Sequence, residues 1–61
     1  MLTVDEAIRL MTSGWVEVIH IPESYLEFSD IIHVIQQYHW IFIASESPGW
    51  VCLRRHVGYH D

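Results

Sequence analysis

The residues of this 61-residue chain best equipped for chemistry are its five histidines and one cysteine. Cys52, His56 and His60 fall at intervals of four, with His20, His33 and His39 elsewhere. Thiolate and imidazole are zinc's preferred ligands, but a structural site needs four of them converging tetrahedrally. In a strand, positions four apart lie about 13 Å apart along the chain, too far to share one ion. The pattern reads as a buried thiol and surface histidines, and no metal site is expected. Cys52 with a histidine could also make a nucleophilic pair, with Arg54 and Arg55 supplying positive charge. No catalytic signature surrounds it, and so small a chain has little room for a cleft that excludes water.

Paired carboxylates fare no better. Glu23, Glu27 and Asp30 lie within two helical turns, an arrangement that is ordinarily a solvated face. Gly14, Gly49 and Gly58 are isolated, so there is no glycine-rich phosphate loop. Neither an enzyme nor a bound cofactor is expected.

The charge balance narrows the choice of partner. Eight acidic residues face only Arg9, Arg54 and Arg55, and there is no lysine, for a formal charge of −5. Each phosphate that a protein neutralises contributes to affinity through counterion release, so a phosphate-gripping surface needs clustered Lys and Arg. This chain is repelled by phosphate over most of its surface, and its acidity favours a basic protein surface as target. The three tryptophans could stack on single-stranded bases, but such platforms sit in positively charged grooves. They read instead as core residues or protein-interface anchors.

The elements that must position these residues can be read in order. Thr3 followed by Glu6 is a capping box, and Val4, Ile8 and Met11, widened by Ala7 and Leu10, recur at helical spacing. Gly14 supplies the left-handed stop, which predicts a helix at about 4 to 12. Trp15 to Ile21, dense in β-branched residues and stopped by Pro22, predicts a strand. Val16, Val18 and His20 share one of its faces and Trp15, Glu17, Ile19 and Ile21 the other.

From Tyr25 to His39 the apolar residues fill one half of a helical wheel, with Leu26 the single intruder. That division predicts one uninterrupted helix burying Phe28, Ile31, Ile32 and Ile35, rather than two helices broken at Ser29-Asp30. Trp40–Ala44 and Trp50–Arg54 then form a hairpin turned at Pro48-Gly49. A tail from residue 54 to 61 is expected to fray.

The order helix, strand, helix, strand, strand predicts an α+β domain. A right-handed crossover would lay the first two strands parallel, giving a three-stranded mixed sheet with two helices on one face. A single domain this small buries only about 60% of its unfolded surface, and with one cysteine it has no internal disulfide, so association is the remaining source of stability. The lone cysteine and the lack of a basic, apolar leader suggest the cytoplasm, or a host's cytoplasm for a virus-encoded chain.

Two helices cover one face of three strands, yet both faces of the hairpin are apolar. Trp40, Phe42 and Trp50, or in the other register Ile41 and Ile43, must point away from the helices. An uncovered apolar patch of that kind marks an interface. The expected function is a non-catalytic protein-interaction module, such as a small acidic inhibitor or adaptor. Trp40, Phe42 and Trp50 on the sheet and Glu23, Glu27 and Asp30 on the helix would meet a basic or nucleic-acid-handling protein, a second copy, or both. The alternative is a small winged-helix DNA-binding regulator, with Pro22–Phe28 and Ser29–His39 as its helix-turn-helix and the hairpin as its wing. That reading requires a break at Ser29.

Overall fold

The computed structural model describes residues 2–56. Within them the chain forms α1 (Val4–Ser13), β1 (Val18–Pro22), a 3-10 helix (Glu23–Glu27), α2 (Ser29–Gln37), β2 (Trp40–Ile43) and β3 (Trp50–Arg55). The architecture is α+β, with a three-stranded sheet.

α1 begins as its sequence dictates. The Glu6 backbone N–H donates to Thr3 Oγ1 at 3.1 Å, and the Thr3 N–H donates to Glu6 Oε1 at 2.8 Å. Two of the helix's orphan donors are thereby satisfied reciprocally. Gly14 ends the helix at φ 86°, a left-handed conformation in which a Cβ is strained. The Thr3 N–H, and then the Thr3 side chain, hold the Glu6 carboxyl below its ordinary 4.5. A lowered folded pKa contributes stability in full above the ordinary value, and loses it as pH falls through the folded one. Thr3→Ala is expected to cost about 1 kcal/mol at neutral pH. In urea melts its deficit against the wild type should shrink on acidification below 4.5.

The sheet order is β1-β3-β2 and both pairings are antiparallel. The mixed sheet expected from the crossover is therefore corrected: β1 and β2 do run the same way, but β3 lies between them. β3 is suited to the centre, being apolar on both faces from Trp50 to Leu53, with no Pro or Gly to interrupt either ladder. β1 ends in Pro22, which has no N–H to donate and is tolerated at an edge. β3 extends through Arg54 and Arg55, so the strand runs two residues into the segment expected to be a tail. Residues 57–61, including His60, lie outside the described residues.

The uninterrupted helix from Tyr25 is corrected as well. Phe28 is extended, at φ −87° and ψ 122°, and separates the 3-10 helix from α2. The break lets the 3-10 helix turn back so that the Tyr25 hydroxyl donates to the Leu2 carbonyl beside the start of α1. At the bend Phe28 is about half exposed rather than buried, its ring edge-on to Tyr25 at 6.2 Å.

The core is the helix-facing side of the sheet. Ile19 and Ile21 of β1, Leu53 of β3 and Trp40 of β2 pack with Ala7 and Met11 of α1 and Ile31, Val34 and Ile35 of α2. Ile32 packs at its margin.

Candidate functional site

Strand register decides what the other side of the sheet displays. Residues directly opposite across a ladder share a face. Ile19 opposes Leu53, and Phe42 opposes Leu53 from the other side, so these three point toward the helices. Val18, Arg54 and Ile41 therefore form one row on the outer face, and His20, Cys52 and Ile43 a second. Pro22 and Trp50 form a third at the hairpin end. Val18 and Ile41 are about half exposed, Ile43 is 38% exposed and Trp50 37%. The result is an apolar surface with one permanent charge, Arg54, among its three rows.

The turn of the hairpin sets this register. The Trp50 N–H donates to the Ser47 carbonyl at 3.1 Å and Gly49 takes φ 81°, the geometry of a type II turn with Pro48 at its first corner. His20 is fixed at that end of the face. Its ring lies 5.3 Å from Trp50, and its Nε2 is 3.0 Å from Ser45 Oγ.

Of the residues singled out on the sheet, Trp50 lies on the outer face. Trp40 is 4% exposed and belongs to the core, and Phe42 lies on the helix-facing side at its open margin, 56% exposed. The outer face thus follows the alternate set, Ile41 and Ile43. Glu23, Glu27 and Asp30 are all exposed along the 3-10 helix and the start of α2.

Cys52 and His20 are direct neighbours across β1 and β3, and Cys52 is partly exposed on the outer face rather than buried. Among the described residues no three His, Cys, Asp or Glu side chains gather where they could hold a metal ion. No helix among them is long and apolar enough to cross a membrane.

One cluster escapes any reading of the chain by elements. Arg55 donates from Nη2 to the Met11 carbonyl at 3.0 Å, and Trp40 Nε1 donates to the same oxygen at 3.2 Å. The guanidinium carbon lies 5.0 Å from the Trp40 ring centroid. Both donors thus serve a carbonyl in the last turn of α1, where cations are favoured by the helix dipole. Arg55 is committed to this internal role, and Arg9 and Arg54 are the exposed arginines. The available signal was modest: Arg55 is two residues beyond Leu53 and so on the same, inward face.

No protein family, curated protein or solved structure matches the chain.

Proposed function

We propose that the chain is a non-catalytic protein-interaction module, a small acidic adaptor or inhibitor that binds through the outer face of its sheet. The observation carrying this reading is the grouping of Val18, Ile41, Ile43 and Trp50 on one face that neither helix covers. Fully burying such a side chain contributes roughly 1.5 to 3 kcal/mol, so a partner closing over the face gains from several of them. The net charge of −5 suits a partner whose apolar patch is set in basic surface. A protein that handles nucleic acid in the cytoplasm is a partner of that kind.

A second reading has specific support. The extended residue Phe28 splits the region into two helical segments, and the order of elements with the antiparallel β1-β3-β2 sheet matches a winged helix. Its recognition helix would be α2, whose exposed polar residues are Ser29, Asp30, His33, Gln36 and Gln37, without a Lys or Arg. With Arg55 internally engaged, the phosphate contacts open to it are few. The architecture favours this reading and the charge opposes it, so we rank it second.

Both are tested together. Immobilised wild-type chain is expected to retain host protein that a Val18→Ser/Trp50→Ser variant loses, with release promoted by salt. In fluorescence anisotropy, duplex DNA should bind no tighter than the non-specific range, about micromolar at physiological salt. Equal capture by the variant would remove the outer face from the proposal. Nanomolar, sequence-dependent DNA binding would establish the winged-helix reading instead.

A further inference from the structure

The sheet has two edges, and they differ in how they are guarded. Antiparallel ladders alternate residues whose backbone groups bond across the pair with residues whose groups point away. The His56 N–H donates to the His39 carbonyl at 2.9 Å, in the same register that pairs Trp40 with Arg55. By that alternation Ile41 and Ile43 bond to β3, whereas the N–H and C=O groups of Trp40 and Phe42 face outward. On the opposite edge, the Arg55 N–H donates to the Glu17 carbonyl, so Val18, His20 and Pro22 are the outward-facing residues of β1. Pro22 has no N–H to offer there, and Glu17 places a charge beside that edge. Proline and charge are the usual devices against edge pairing. β2 has neither: Tyr38 to Ser45 holds no Asp, Glu, Lys, Arg or Pro. Ile41, Phe42 and Ile43 are all exposed along it.

We infer that β2 is a self-pairing edge and that its occupant is the β2 strand of a second copy, antiparallel about a twofold axis through Phe42. This rests on the reading of the chain as an interaction module and names one of its partners. Three observations select a second copy. A twofold pair requires the same strand to complement itself, and outward-facing Phe42 can exchange both of its backbone hydrogen bonds with its counterpart. In that register Ile41 meets Ile43 on the outer face, and the two Phe42 rings meet on the helix side as an aromatic cross-strand pair. Finally, a chain of charge −5 repels its own copy almost everywhere, and this acid-free edge is where that repulsion is least. In the same register Glu46 falls opposite Tyr38 and not opposite a carboxylate. The product is a continuous six-stranded sheet, whose outer face offers the proposed binding surface twice.

The test is sedimentation equilibrium of the purified chain from micromolar to millimolar concentration, with amide hydrogen exchange at Phe42. The wild type is expected to reach twice the chain mass, and exchange at Phe42 to slow as concentration rises. Phe42→Pro removes an N–H that no internal ladder uses, and Phe42→Glu sets two carboxylates face to face; both are expected to give folded monomers. Should both variants unfold, the concentration dependence of wild-type exchange decides the matter. A wild type that stays monomeric with exchange independent of concentration overturns the inference. So does a dimer that survives Phe42→Glu but is lost in Val18→Ser/Trp50→Ser, since that dimer is built on the outer face. Capture of a different protein through Val18 and Trp50 is measured separately, so edge pairing can fail while the broader reading stands.

Discussion

Ile31→Ala is expected to leave the chain largely unfolded at room temperature. Ile31 is fully buried in α2, in a core where Met11, Ile21 and Leu53 are equally inaccessible. Truncating a buried isoleucine costs about 2 to 5 kcal/mol, the transfer of the lost methylenes plus the cavity they leave. A single core in a domain this small rarely supplies more than about 3 to 5 kcal/mol, so the loss is comparable with the whole. Urea denaturation followed by circular dichroism should show the midpoint collapse toward zero denaturant. Ile32→Ala, at the margin of the same core, should be milder. Equal effects at the two positions would mean that α2 presents a different face to the sheet.

Arg55→Ala is expected to be the most damaging change to any charged residue in the chain. It removes a charged donor from the Met11 carbonyl and the cation from the Trp40 ring. Hydrogen bonds to charged groups contribute about 1.5 to 3 kcal/mol and a partly shielded cation–π contact about 1, and the two are not independent here. A net loss of about 2 to 3 kcal/mol is expected from thermal and urea melts. Arg55 Nε is buried without a partner among the described residues, and a buried donor left unpaired lowers stability. Arg55→Met keeps the apolar stem and relieves that cost, so it should be better tolerated than alanine. A double-mutant cycle with Trp40→Phe would measure the coupling, because both side chains donate to one oxygen.

Features carried by local chemistry were legible in the sequence. The Thr3–Glu6 box, the Gly14 stop and the Pro48-Gly49 turn each follow from a few adjacent residues, and each takes its expected form. What depended on distant contacts was not. The wheel from Tyr25 to His39 records only the spacing of apolar residues, and that spacing is insensitive to a bend at Phe28 which serves the contact between Tyr25 and Leu2. The strand order turned on which strand tolerates neighbours on both sides, whereas the crossover rule considered only the first two strands. Hairpin register decided whether the uncovered face held Trp40 and Phe42 or Ile41 and Ile43. Their alternation is the same under both registers, so the sequence pattern alone could not separate them. The outer face was thus foreseen as a surplus of apolar residues, while its membership came from the structure.

The central position of β3 has a consequence for how the protein is made. Within the chain, among the described residues, β1 and β2 pair only with β3, and β3 spans residues 50 to 55. As a ribosome extends the chain, α1 and its cap can form early, since their hydrogen bonds are local. No sheet can exist until the codons for residues 50 to 55 have been read and that segment is free to insert between two strands already made. Until then Ile19, Ile21 and Trp40 have no sheet to join. Folding that waits on long-range pairing is slow to begin. A purified fragment ending at residue 49 should accordingly be devoid of sheet by circular dichroism.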